Sequence, residues 1–232
     1  MGKKKKSVFR FWIEAMLLLA LVGTGGFLWW QRQSWAPPRA QFPMQGVVTG
    51  AADGVIDISA LRTARADFVY LEASSGENGR DEVFGRNLAA LADTGIPHGA
   101  VHTYDPCIPA ERQAANFVTT VPRDPTLLPP AIALDKPASA CGDPVIDAAL
   151  ESELTTFINQ VEGHAGQPVV LKVSEAFEET YAIASRIERN LWLENDWLQP
   201  DYAGRPWTLW TANAQLSNPA NGAKMRWVVV QQ

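Results

Sequence analysis

Asp67-Phe68-Val69-Tyr70-Leu71, followed by residues 81–102, DEVFGRNLAALADTGIPHGAVH, reads as one strand–helix–strand unit. The first five residues are a short apolar, β-rich run. In residues 81–94, Val83, Phe84, Leu88, Leu91 and Ala92 share one helical face, and Gly95 with Pro97 stops the helix. Gly99-Ala100-Val101-His102 then returns to an extended pattern. The same alternation continues outward. Further strand-like runs are Gly46-Val47-Val48, Ala131-Ile132-Ala133-Leu134, Pro168-Val169-Val170-Leu171, Trp207-Thr208-Leu209-Trp210 and Arg226-Trp227-Val228-Val229-Val230. Residues 110–118 and 145–162 are helical candidates, the second with Val145, Ala149, Leu150, Leu154, Phe157 and Ile158 on its inner face. Trp192 and Trp197 fall in a stretch with no clear period. Strands alternating with helices over about 190 residues imply a parallel sheet, open or closed into a barrel. In a barrel, function sits at the carboxyl ends of the strands.

The chain has 232 residues, 47% of them hydrophobic, which excludes intrinsic disorder. Its charge is divided. Residues 1–35 hold six basic groups against the single acid Glu14, and the remainder holds 14 basic groups against 24 acids. The acidic domain, with a pI near 5.3 for the whole chain, argues against nucleic acid as a partner. The basic tail needs its own explanation. Ala15 to Trp30 carries no charge, and extension back to Phe11 reaches about the 20 residues needed to cross hydrocarbon. Lys3 to Lys6 place the amino terminus in the cytoplasm, and Trp29-Trp30 suit the far interface. The competing reading is a cleaved signal peptide, but no small-residue cleavage site follows the apolar run. The expected layout is a cytoplasmic basic segment at 1–10, a transmembrane anchor at 11–30, a stiff Pro-rich linker at 31–44 and a domain at 45–232. That domain would lie outside the cytoplasmic membrane, in a periplasmic or extracellular compartment.

Cys107 and Cys141 are the only cysteines. In an exported domain two lone cysteines favour a disulfide, with unrelated free thiols as the alternative. No Cys/His cluster has metal-ligand spacing, so neither a metal nor a cofactor is expected. The absence of G-x-G-x-x-G, Walker and G-x-S-x-G patterns removes the usual signatures of nucleotide binding and serine hydrolysis.

From Gln45 onward the order of segments resembles glycoside hydrolase family 25, the muramidase lysozymes that cut peptidoglycan glycan. The pieces that carry the resemblance are Gln45-Gly46-Val47, Gly54-Val55-Ile56-Asp57, Ala66–Ala73, Asp93–His102, Leu128-Pro129-Pro130 and Pro206–Trp210. The resemblance implies a modified β/α (TIM-like) barrel of α/β class with parallel strands, here preceded by one transmembrane helix. It also places Cys107 and Cys141 on neighbouring loops of the active rim, which strengthens the disulfide. The implied partner is peptidoglycan or an envelope protein.

The family's catalytic motifs are altered in this chain. They are a first-strand G-[IV]-D-[VI]-S, a mid-chain P-P-x-x-D-x-E and a last-strand V-D-x-N. Here Val48 stands at the first Asp, Ala133 at the second, Asp135 at the acid Glu, and Arg226 and Val228 at the last Asp and Asn. Glycan hydrolysis ordinarily needs two carboxyl groups. An arginine in place of a carboxylate opposes an oxocarbenium ion, and a shortened acid loses reach. The resemblance therefore implies a pseudoenzyme with an impaired site, Asp135 being the one candidate acid. Asp53, Glu72 and Asp105 are possible compensating carboxylates. The plainer alternative makes Asp53 and Asp105 turn residues and pairs Glu72 with Arg226. His102, Tyr104, Trp207 and Trp210 are candidates to line a glycan cleft, although a strand-end histidine and strand tryptophans are more commonly structural.

Overall fold

The computed structural model describes residues 3–143 and 145–231, with side chains described from Phe11 onward. The chain forms two compact units, Met1–Trp35 and Ala36–Gln232.

The first unit is one helix, α1 (Lys3–Ser34). Phe11–Ser34 is the one helix among the described residues that is long and apolar enough to cross a membrane. Its 24 residues rise about 36 Å at 1.5 Å each, against a hydrocarbon core of about 30 Å. Leu17, Leu18, Leu19, Leu21 and Val22 are all exposed. The helix continues past the expected end at Trp30 to Ser34. The side chains of the basic segment 1–10 lie outside the described residues.

The second unit is a closed barrel. Its strands are β1 (Gln45–Thr49), β2 (Phe68–Ser75), β3 (Gly79–Arg80), β4 (His98–Thr103), β5 (Ala131–Leu134), β6 (Val170–Val173), β7 (Asn190–Glu194), β8 (Leu209–Ser217) and β9 (Lys224–Val230). The helices are α2 (Ile58–Ala64), α3 (Phe84–Ala92), α4 (Ala110–Thr120), α5 (Asp147–Ala165), α6 (Glu175–Tyr181) and α7 (Ile183–Arg186). The sheet runs β1-β9-β8-β7-β6-β5-β4-β2, and a β1–β2 pairing closes the ring. The short β3 folds back on the end of β2.

Within the closed ring, which omits β3, every neighbouring pair from β1 round to β8 through β2 is parallel. Apart from the short β3, one strand departs from the expected parallel arrangement: β9 is antiparallel to both β8 and β1. The cause is local, since only residues 218–223 connect β8 to β9. A connection of that length makes a hairpin, whereas a parallel crossover needs a dozen residues or more. Elsewhere the helices supply the crossovers. Asp57 caps α2 by accepting from the N–H groups of Ser59 and Ala60, Ser174 caps α6, and Gly166 ends α5 in the left-handed conformation at φ 73°.

Side chains fill the barrel. Val48, Phe68, Tyr70, Val101, Ala131, Ala133, Val170, Trp192, Leu209 and Val228 form one buried cluster. Tyr70 packs on Trp192 at 5.0 Å between ring centroids, and the Trp192 indole donates to Thr211 Oγ1 at 2.8 Å. Full burial of such side chains contributes roughly 2–3 kcal/mol each, before entropy is counted. Trp192 lies in β7, the strand that patterning left irregular.

The stretch expected to be a linker is partly built into the barrel. Phe42 is buried, stacked on Trp207 at 6.2 Å and edge-on to Trp210 at 5.7 Å. Gln45 Nε2 donates to the carbonyls of Pro37 and Phe42, each at 2.8 Å, and Arg39 pairs with Asp67 at 2.7 Å. The prolines limit the conformations of the segment, while Phe42 and Arg39 supply the apolar and ionic contacts that seat it.

Candidate active site

Two layers of inward side chains define the mouth at the carboxyl ends of the strands. Strand pairing sets Ala133, Lys172 and Trp192 side by side across β5, β6 and β7. Two residues further along, alternation brings Asp135 and Glu194 to the same face, one level above. Lys172 Nζ lies 2.8 Å from Glu194 Oε1 and 6.0 Å from the centre of the Trp192 ring. Glu194 is also fixed through its backbone. Its N–H donates to the Tyr202 hydroxyl at 3.0 Å, and that hydroxyl donates to the Val173 carbonyl at 2.7 Å.

Asp135 has no hydrogen bond or ion pair among the described residues. Its residue opens to solvent, yet the surrounding walls desolvate the carboxylate and push its pKa up. Lys172 opposes that rise, and Glu194 and Glu72 add to it.

On the other side of the mouth, Arg226 donates to Glu72 and, at 2.8 Å, to Asp53. Asp53 also accepts from the Gly50 N–H at 3.0 Å, and the Ala51 N–H donates to Asp81. A Cβ at Gly50 would press on the Glu72 carboxylate, which would have to turn aside from its present position. A cavity of about 330 Å³ opens beside this network, lined in part by Asp53, Glu72, Gln215 and Arg226.

Asp105 is occupied as well. It binds Lys136 Nζ through both oxygens, at 2.9 and 2.8 Å, and accepts from the Cys107 N–H. Cys107 and Cys141 form a disulfide with Cα atoms 5.2 Å apart, tying the loop after β4 to the loop after β5. The three carboxylates considered as compensating groups are therefore all engaged by cations. No group of three or more His, Cys, Asp or Glu side chains suited to a metal exists among the described residues.

None of the four expected cleft residues faces the mouth. His102 is fully buried behind β4, with Nδ1 2.8 Å from Ser74 Oγ and its ring against Phe117 and Phe157. Burial pushes its pKa down to about 4. Tyr104 is buried against Phe157, and burial, with Glu153 and Asp105, raises its pKa. Trp207 and Trp210 belong to the aromatic contact with Phe42, and their indoles donate to the carbonyls of Pro200 and Asn195. Burial leaves none of the four rings open to a ligand at the mouth.

The family model for glycosyl hydrolases family 25 matches residues 50–218. The chain belongs to that family. Similar solved structures agree on the fold. A family 25 glycosyl hydrolase from Bacillus anthracis superposes with TM-score 0.77 at 23% identity, over 86% of this chain and 93% of that one. A lysozyme from Streptomyces coelicolor gives TM-score 0.70 at 20% identity, over 82% and 92%. The uncharacterized protein YegX of Escherichia coli is 23% identical over 147 residues, which is 63% of this chain. The match spans about half of the length of that relative, 52%.

Within this family 25 barrel, Val48, Ala133 and Val228 all lie in the buried apolar cluster below the mouth. Arg226 is level with Val48, its partner in the β1–β9 register, and lies two residues nearer the mouth than Val228. Sequence reading overlooked Lys172 and Glu194. The signal available was the alternation in Asn190-Leu191-Trp192-Leu193-Glu194, which puts Glu194 on the same face as Trp192.

Proposed function

We propose that this chain is a single-pass, membrane-anchored envelope protein whose family 25 barrel receives peptidoglycan glycan at its mouth, and that its catalysis is impaired. The observation that carries this reading is the shared fate of Val48, Ala133 and Val228, which pack together as barrel filling. Apolar side chains there neither stabilise an oxocarbenium charge nor position water, and stabilisation of that kind is worth several kcal/mol in a transition state. Arg226 reinforces the reading by occupying Glu72 and Asp53. The anchor rests on Phe11–Ser34, with the amino terminus in the cytoplasm and the barrel outside it.

A second reading is an active muramidase that hydrolyses N-acetylmuramic acid–N-acetylglucosamine linkages with Asp135 as its acid. It is favoured by the unpaired carboxyl of Asp135 and its raised pKa. A third is a scaffold that binds an envelope protein. The deciding experiment incubates the full chain in detergent with purified sacculi, scoring fragment release and co-sedimentation. Co-sedimentation with slow or no release is the expected result. Fast release at rates typical of an intact muramidase would overturn the impairment, and loss of both release and binding would leave the scaffold.

A further inference from the structure

We propose that Asp135 and Glu194 form a displaced acid–base pair, spanning Lys172, through which the mouth retains slow hydrolysis of a glycosidic bond with inversion of configuration. The inference rests on the reading that the mouth receives peptidoglycan glycan.

The argument begins with register. β5 and β7 flank β6, so their backbones stand two strand spacings apart, about 9.6 Å. Inward side chains on a closed barrel converge, which brings the two carboxyl groups nearer than the backbones. Inverting glycosidases hold their carboxyl groups about 6.5–9.5 Å apart, leaving room for a water, whereas direct nucleophilic attack needs about 5–5.5 Å. Strands two apart suit the first arrangement.

The two carboxyl groups also differ in surroundings, as an acid and a base must. Asp135 has no cation in contact among the described residues and is desolvated beside other carboxylates. Desolvation shifts its equilibrium toward the neutral form, and a neutral carboxyl can donate a proton. Glu194 has a direct counter-charge in Lys172 at 2.8 Å. The Tyr202 hydroxyl clamps its backbone to the end of β6, so its position is fixed from two sides. Asp53 and Glu72 share the single Arg226 guanidinium, and Asp105 is bound by Lys136 through both oxygens.

The reaction balances with water alone. Asp135 gives its proton to the glycosidic oxygen as the bond from that oxygen to the anomeric carbon breaks. Glu194 takes a proton from water as the water oxygen bonds to the opposite face of the same carbon. Proton exchange with solvent then restores both groups. Lys172 acts as a positioning residue for Glu194.

The test uses the full chain in detergent, with sacculi and a soluble glycan fragment as substrates. Wild-type protein is expected to release new reducing ends slowly, and NMR of the first product should show a configuration opposite to that of the bond cut. Asp135→Asn and Glu194→Gln should each lower release about 100-fold or more, with co-sedimentation changed less than twofold. Azide should restore turnover of Glu194→Ala as a glycosyl azide of inverted configuration, which a structural role for Glu194 would not produce. Lys172→Met should lower kcat more than it raises KM. Retained configuration, or release undiminished in Glu194→Gln, overturns the pair. Binding without any release by wild-type protein also overturns it and leaves the proposed function standing. Failure of wild-type protein to bind sacculi removes both.

Discussion

Arg226 and Glu72 form an ion pair across a sequence separation of 154 residues, joining the antiparallel closing strand to the first parallel neighbour of β1. Asp53 completes the clasp from the loop after β1. Replacing the guanidinium in Arg226→Met leaves two facing carboxylates at the seam where the barrel closes. The side chains of Arg226 and Glu72 are 29% and 39% exposed, so solvent screens part of the loss. The expected cost is about 1–2 kcal/mol, read as a lower urea midpoint. Adding Glu72→Gln should return part of it. A midpoint unchanged by Arg226→Met would show that the clasp contributes nothing to closure.

Asp135 makes the opposite prediction, a stabilising substitution. Its folded pKa is raised, so between the unfolded value of 3.8 and the folded value the native state binds more protons than the unfolded chain. Stability from this group is present below pH 3.8 and is lost as pH rises through the folded pKa. Asp135→Asn should therefore raise Tm at pH 7, and the gain should shrink to nothing as the pH falls below 3.8. Thermal melts at pH 7 and pH 3 check this. A Tm lowered at pH 7 would mean that the ionised carboxylate holds a favourable contact.

His102 shifts the other way. Burial depresses its pKa from 6.5 to about 4, so the unfolded chain binds the extra proton between those values. Its contribution is fully present above pH 6.5 and falls away as the pH drops to about 4. At about 1.4 kcal/mol per pKa unit, the loss approaches 3 kcal/mol. His102→Gln should flatten the stability profile across that interval in urea titrations at fixed pH. An unflattened profile would assign the acid sensitivity to other groups.

The periodic parts of this fold were legible in the sequence because one physical cause produced each of them. Apolar alternation and helical stripes marked β2, α3 and β4, and Cys107 with Cys141 fell on loops that the barrel brings together. Where two causes competed, local sequence left both outcomes open. Trp207 and Trp210 fitted both a sugar platform and a place in the core, and burial against Phe42 from the expected linker is the one the fold uses. β7 was missed because Asn190 and Glu194 bracket only three apolar residues. With β7 went Glu194 and its pairing to Lys172, since an ion pair between strands leaves no mark in local sequence. The seat of Val48, Ala133 and Val228 in one cluster was equally invisible, because it depends on closure of the ring.

The wall of the mouth beside Asp135 is held by two links of different strength. The Cys107–Cys141 disulfide joins residues 34 positions apart. Loop-closure entropy for that length gives about 4 kcal/mol, and distortion or residual structure in the reduced unfolded chain lowers the observed value to about 2–4 kcal/mol. The Asp105–Lys136 ion pair links the same two loops, but its side chains are 28% and 40% exposed. An exposed pair contributes less than about 1 kcal/mol. Cys107→Ser with Cys141→Ser should therefore lower the urea midpoint several times further than Asp105→Asn does. Reduction of the wild-type chain should reproduce the shift of the double cysteine variant. A reduced protein as stable as the oxidised one would assign the hold on this wall to packing of α4 and α5 instead.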